Sequence, residues 1–269
     1  HKHGNIGENN IFCNTRGMML KLFYHLYLIL NHCYKLFCLY LLGSSVAFSV
    51  TASTLIIANV KNKADVADQQ PQNWQLWRAS NTLSIEFRNI PHSDLIEIRA
   101  KAVIESSLSG TLLFLQQTKN IPQWLHNSSN SEIIKTISET ENISLTHFDK
   151  IWLVKKREMI IRSHYWQNKD LSVEVTIKDE SKNYRQYQSK KAIQINILSA
   201  HWLIKNRRKG IIEIEHRIIA DPNGHIPKWL ANRIALKSMW RTLINIENQL
   251  PGSHYQKEKL KNIQELGDD

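Results

Sequence analysis

The feature that most constrains this chain is a change of period near its end. Several segments in series alternate apolar and polar residues in steps of two, and one long segment, 227–250, then repeats every three to four residues. Alternation puts every second side chain on one face of a strand, so strands in series make a sheet with one apolar face that needs a cover. The strands are 83–90 and 95–104, which form a hairpin across Pro91, His92, Ser93 and Asp94, followed by 151–166, 171–178, 193–204 and 210–219, each bounded by charged turns. In 171–178 the buried set is expected to be Val173, Val175 and Ile177, and in 210–219 it is Ile212, Ile214, His216 and Ile218. Between hairpin and meander, 109–125 and 131–138 carry apolar residues at helical spacing, with Pro122 interrupting and Asn127-Ser-Ser-Asn as a turn. Two helices are predicted there.

The cover follows the turn sequence Asp221-Pro222-Asn223-Gly224, with Pro227 suited to the first helical position. Its stripe is Trp229, Asn232, Leu236, Met239, Leu243, Ile246 and Leu250, while Arg233, Lys237 and Arg241 fall elsewhere on the helix. Pro251-Gly252 ends it, and the charged residues of 251–269 are expected to form a frayed tail. The fold class is α+β, in a domain spanning 74–250.

Residues 1–58 read differently. No charge occurs over 36–60, Lys21 and Lys35 precede the apolar run, and small residues follow it. That is the pattern of a signal peptide, cleaved near Ala47-Phe48-Ser49 or Val50-Thr51-Ala52, with a retained membrane anchor over 36–58 as the rival. Met18 and Met19 stand just before the basic and apolar part, so translation is expected to begin there. Residues 59–73 read as a polar linker. The expected location is beyond a membrane, in the periplasm.

All three cysteines, Cys13, Cys33 and Cys38, lie in this leader. Disulfides and Cys-based chemistry are therefore excluded from the domain. The leader contributes four of the 35 Lys and Arg and one of the 24 Asp and Glu, so the rest of the chain carries eight more basic than acidic residues. Clusters at Lys155-Lys156-Arg157, at 205–209 and at Lys257, Lys259 and Lys261 suit an anionic membrane surface, or are a solvated face. Nucleic acid is not expected, because the strands lack interleaved aromatic and basic residues. No His-Glu-x-x-His, no Gly-rich phosphate loop and no Gly-x-Ser-x-Gly elbow occurs, so neither a metal nor a cofactor is expected. Glu213 and Glu215 fall on the strand face opposite His216 and cannot serve it as an acid/base partner.

The order of these elements, and the words within them, resembles a steroidogenic-acute-regulatory-related lipid transfer (START) domain of the bacterial type, over most of residues 70–250. The resemblance rests on Trp74, on IEIRAKAVIES running into LSGTLLFLQQ, on Trp124, on KKREMII and above all on GHIPKWLANRIALKSMWRTL. Gly-x-Ile-Pro-x-Trp-Leu-x-Asn running into a long helix is a recurring ending in that family. Two positions depart: Glu158 replaces the usual Asp, and Met239-Trp240 stands where many members have Pro. The resemblance implies a helix-grip fold, a curved antiparallel sheet wrapped around the long C-terminal helix, here preceded by an N-terminal apolar leader helix. It also implies a tunnel between sheet and helix, and a monomer that binds or transports a lipid or sterol-like ligand without catalysis. Cyclase, aromatase and hydrolase enzymes on the same fold, and a sensory or adaptor module without ligand, are the alternatives.

A cavity for such a ligand needs a few polar groups that orient one end. Polar residues in register with apolar faces are Ser163 and Tyr165, after Met159 and Ile161; Ser199 and His201, after Ile195 and Ile197; His216; and Asn232 on the helix. With Trp229, Leu236, Met239 and Leu243 they make up the expected ligand-binding set. Each polar member also reads as a buried group bonded to backbone or water, and the helix stripe as core. Arg157 with Glu158 reads as a structural ion pair or surface charge rather than a ligand clamp.

Overall fold

The computed structural model describes residues 73–151 and 154–267. The leader, with its proposed start and cleavage sites, and nearly all of the linker lie outside the described residues. Ten strands form one curved sheet: β1 (Gln75–Ala79), β2 (Leu83–Asn89), β3 (Ile96–Glu105), β4 (Ser128–Ser138), β5 (Glu141–Phe148), β6 (Arg157–Gln167), β7 (Val173–Asp179), β8 (Ile193–Gln194), β9 (Asn196–Arg208) and β10 (Ile211–Asp221). The order is β1-β2-β3-β10-β9-β7-β6-β5-β4, antiparallel throughout, with the two-residue β8 paired parallel to β6. Helices α1 (Leu108–Gln116) and α2 (Ile121–Trp124) link β3 to β4, and α3 (Lys228–Gln249) follows β10. Among the described residues no helix is long and apolar enough to cross a membrane.

The alternation expected of β3 and β10 is present. Along β3, Ile96, Ile98, Ala100, Ala102 and Ile104 are all buried, and in β10 Ile212, Ile214 and His216 are buried beside them. The alanines leave room for α3, which lies across β2 and β3 and buries Leu236, Trp240, Leu243, Ile246 and Leu250. On the outer face the charged alternates pair across strands: Arg88 with Glu97 at 2.5 Å and Arg99 with Glu86 at 2.7 Å. The Trp74 ring lies under both guanidinium groups, at 4.7 and 4.1 Å.

Three expectations are corrected. Residues 131–138, expected to be helical, belong to the edge strand β4, whose pairing with β5 shifts register three times. Each shift breaks the two-residue period, so Ile133, Ile134 and Ile137 fall at a spacing that imitates a helix. The segment 151–166 contributes a strand only from Arg157 onward, Ile151 and Val154 making an isolated bridge. The tail, expected to fray, is docked: Tyr255 and Ile263 are buried, and residues beyond Pro251 close the N-terminal end of α1.

That docking follows from unpaired backbone donors at the helix start. Ser107 caps α1 by accepting from the Gly110 N–H at 3.0 Å, and the Glu265 carboxylate accepts from Leu108 N and Ser109 N at 3.0 and 2.8 Å. Gln256 Oε1 accepts from Ser107 N at 3.1 Å, and Leu260 N donates to Ser109 Oγ at 3.2 Å. A Cβ at Gly110 would come within 2.9 Å of the Gln256 side chain, so the glycine is what lets the strap approach. A carboxylate at a helix N-terminus combines hydrogen bonding with the helix dipole. Glu265→Ala is therefore expected to lower stability by about 1–2 kcal/mol, read as a reduced urea midpoint with unchanged slope. Deleting 254–267 lowers it further, because Tyr255 and Ile263 leave the core.

Candidate functional site

The sheet and α3 do not fill the space between them. A cavity of about 360 Å³ lies between the inner faces of β5, β6, β7, β9 and β10 and one side of α3, and is closed laterally by α1 and α2. The helix divides its surface to make this possible. Its largest buried side chains press on β2 and β3, whereas Ala231, Ala235, Ser238 and Thr242, with Ile234 and Met239 beside them, line the cavity. Opposite them stand Met159 and Ile161 of β6, Val175 and Ile177 of β7, Trp202 of β9 and Ile218 of β10. The volume falls at the small end of the range typical of ligand pockets.

Of the residues expected to line this space, Ser163, His216, Asn232 and Met239 do so. The others do not, for identifiable reasons. Leu236 and Leu243 are on the bulky face of α3, in the core. Tyr165 continues the inward register of β6 but is enclosed in the core, where its hydroxyl accepts from Asn262 Nδ2 of the C-terminal strap at 3.2 Å. Trp229 is 68% exposed at the start of α3. Ser199 and His201 face outward because β9 carries a bulge: Ile219 pairs with Ser199, but Ala220 pairs with Ile197. The extra residue, Leu198, inverts the alternation, so Ile197 faces inward and then Ala200 and Trp202 do. His201 accordingly meets Glu174 on the outer face, at 2.8 Å.

Arg157 and Glu158 are also corrected, for they are not a pair. Consecutive strand residues face opposite sides. Glu158 is buried on the outer side, accepting from Ser189 N at 2.8 Å and from Gln194 Nε2. Arg157 lines the cavity and donates to the carbonyls of Lys155, Pro222 and Asn223 at 2.9, 2.9 and 3.0 Å. It thereby holds the turn before α3 against β6. Gly224 in that turn has φ +77°, and a Cβ there would meet Ile193 Cδ1 at 2.9 Å, which accounts physically for the glycine of the GHIPKW segment.

Strand β5 contributes polar lining that the sequence reading passed over. Asn142, Ser144 and Thr146 face the cavity, while Ile143 and Leu145 face outward with Ile160 into a small second core beneath Tyr184. Ser163 Oγ donates to Asn142 Oδ1 at 3.2 Å, and Thr146 shares a 2.8 Å hydrogen bond with Ser131. The alternation in ENISLTHF was legible. Its apolar half merely marks the outer face.

His216 is the most perturbed group in the site. Its ring stacks on Trp202 at 4.0 Å, and burial pushes its pKa down to about 4. Nδ1 donates to the carbonyl oxygen of His201 at 3.1 Å, and a carbonyl only accepts, so this nitrogen carries the proton. Nε2 is then a lone-pair acceptor on a neutral ring. Asp149 at the rim is the only carboxylate on the cavity among the described residues, and its side chain is 57% exposed. Nor does any group of three His, Cys, Asp or Glu come together there that could hold a metal.

A folded-state pKa below the unfolded value means that the unfolded chain binds more protons between about pH 6.5 and 4. Stability therefore falls as pH drops through that window, by up to about 3 kcal/mol from His216. His126, lowered by burial and by Arg241, adds in the same direction. Urea midpoints measured from pH 7.5 to 4 should show this decline, and His216→Gln should flatten much of it while keeping a donor for the His201 carbonyl.

No family model matches this sequence. Among curated proteins the chain is 19% identical over 172 residues to the uncharacterised protein PA1579 of Pseudomonas aeruginosa, a span covering 64% of this chain and 84% of that one. Among solved structures it is similar to the STAR-related lipid transfer protein of Xanthomonas axonopodis, at 21% identity and a TM-score of 0.57, covering 65% of this chain and 97% of that one. It is also similar to the human StarD13 lipid transfer and protein localization domain, at 13% identity and a TM-score of 0.58, covering 72% and 98% of the two chains. Human StAR-related lipid transfer protein 5 matches at 15% identity with a TM-score of 0.58, over 73% and 92%. At these identities the likeness is one of fold: the described chain has the helix-grip fold of these lipid transfer domains, a bacterial one among them.

Proposed function

We propose that this protein binds a lipid, or another apolar molecule of similar size, in the cavity between sheet and α3, and carries it without changing it chemically. The observation that carries this reading is the division of α3. A helix serving only as a lid would present its bulky stripe alone, whereas here a second face, in which Ala231, Ala235, Ser238 and Thr242 stand between Ile234 and Met239, leaves the space open against an apolar wall. Burying a hydrocarbon there gains about 25 cal/mol per Å² removed from water. The lipid transfer proteins of the same fold support it. Among the described residues no buried carboxylate stands beside His216, whose neutral ring meets Trp202 and the His201 carbonyl, and this speaks against acid/base turnover.

The leader is proposed to place the domain beyond a membrane, and the rim to meet an anionic bilayer as a monomer. Trp229 stands exposed at the start of α3, between Ile226 and Asn232, which both line the cavity, and Arg233 and Lys237 follow on the exposed side of the helix. An indole beside cationic side chains suits a headgroup region.

Native mass spectrometry of the purified protein tests the first proposal: a retained apolar mass is expected, released by organic solvent. Ser238→Trp, which places a large ring in the cavity, is expected to reduce uptake at least tenfold with little change in stability. Equal uptake by wild type and variant defeats the cavity reading. For the membrane, partition onto phosphatidylglycerol vesicles should drop about tenfold in Trp229→Ser, some 1.4 kcal/mol, and further with added salt.

A further inference from the structure

Five buried side-chain nitrogen or oxygen atoms among the described residues have no hydrogen-bond partner in the protein: Gln116 Nε2, Trp124 Nε1, Glu158 Oε2, Gln194 Oε1 and Asn206 Nδ2. The last three belong to residues away from the cavity. The first two belong to residues that line it, and both atoms are donors. They come from neighbouring elements, Gln116 ending α1 and Trp124 ending α2. A buried donor left without an acceptor costs about 1–3 kcal/mol, so two on one wall of a ligand-sized space call for an acceptor inside it.

Trp124 is held firmly enough to make this a fixed feature. Its residue is 6% exposed, its ring lies 6.2 Å from Phe114, and its carbonyl accepts from Asn245 Nδ2 of α3 at 3.2 Å. An indole N–H can only donate. The same wall carries no cation that would neutralise an anion. His126 has its pKa lowered, and the two cations on the lining, Lys155 and Arg157, stand across from it at the start of β6, where the Arg157 guanidinium serves the carbonyls of Lys155, Pro222 and Asn223. A carboxylate placed against neutral donors alone would be costly to desolvate, whereas an ester or ketone oxygen needs only the hydrogen bonds.

Resting on the lipid-binding reading above, we infer that the wall made by α1 and α2 is a subsite for a neutral carbonyl oxygen, and that the ligand is an uncharged acyl ester or ketone lipid, with Trp124 Nε1 and Gln116 Nε2 as its donors.

The test uses matched probes delivered to the full chain from cyclodextrin and quantified by mass spectrometry: octadecane, methyl hexadecanoate labelled with ¹³C at the carbonyl, and hexadecanoate at pH 8. Wild type is expected to prefer the ester over the alkane by about fivefold for each hydrogen bond made, and to take up the carboxylate least. Trp124→Phe removes the N–H and keeps an aromatic ring; it should lose about fivefold in ester uptake with alkane uptake unchanged, and the ¹³C carbonyl stretch of the bound ester should move to higher wavenumber. Gln116→Leu, at the half-buried end of α1, gives the same readings independently should the first variant fold poorly. Equal uptake of ester and alkane by wild type, as when the donors are met by water, or a carbonyl band unmoved in both variants, overturns the subsite and leaves the cavity reading standing. Preferred uptake of hexadecanoate overturns the neutral class. If no probe enters at all, the lipid-binding reading fails and the subsite with it.

Discussion

The cavity exists because α3 meets the sheet with two unlike faces. Leu236, Trp240, Leu243, Ile246 and Leu250 close over β2 and β3, where Ala100 and Ala102 admit them, and this contact, with the Asn245 bond to Trp124, orients the helix. Ala231, Ala235, Ser238 and Thr242 then line the cavity, and their side chains are too short to reach across it. A sheet that curves away from a helix pinned at one margin leaves a gap unless large residues fill it. Here small residues stand on the near side and aliphatic ones on the far side.

The pinning contact is itself non-local. β3 pairs with β10 from Ile98 with Ile218 to Glu105 with Ile211, joining the first strands of the domain to the last. Such a pairing closes a long loop before it gains anything, so its register must be strongly specified. The near-perfect apolar alternation of both strands supplies that specification, since a slip by one residue would turn Ile212, Ile214 and His216 outward and expose charges inward. The C-terminal strap adds a second long-range tie at the same margin, through the start of α1. Trp240 makes a third by standing edge-on to Trp77 at 6.5 Å with Arg78 above it.

Legibility in the sequence followed the same physics. β3, β7, β10 and α3 could be read because each buries one face against a continuous core, and a continuous core imposes a clean period. The bulge in β9 could not be read. Leu198 is an apolar residue left 61% exposed, and the Ile197 N–H beside it is satisfied at 2.9 Å by Asp179 Oδ2 at the end of β7. A partner from another strand is invisible to a periodicity argument, so Ser199 and His201 were assigned to the wrong face and Ala200 was missed. β5 was hidden differently. Its apolar residues serve a minor core outside the sheet, which makes the cavity side look like a solvent side. The strap carries too few apolar residues to announce itself: Tyr255, Leu260 and Ile263 are separated by charged neighbours, and its anchoring hydrogen bonds come from Gln256 and Glu265.

The distribution of polar groups around the cavity is asymmetric in a way that bears on ligand orientation. The sheet side offers a neutral His216 whose free nitrogen accepts, together with Ser163 and Asn142, already bonded to each other. The side formed by α1 and α2 offers donors without internal partners. Groups satisfied by one another impose little on a guest, whereas unsatisfied ones are stabilised only when the guest supplies what they lack. In the proposed reading the polar end of a ligand is drawn toward α1 and α2, and its hydrocarbon part toward Met159, Ile161, Val175 and Ile177. A ligand held that way lies with its apolar portion along the small face of α3, so any movement of that helix away from β6 and β7 would expose the hydrocarbon before the carbonyl end was released.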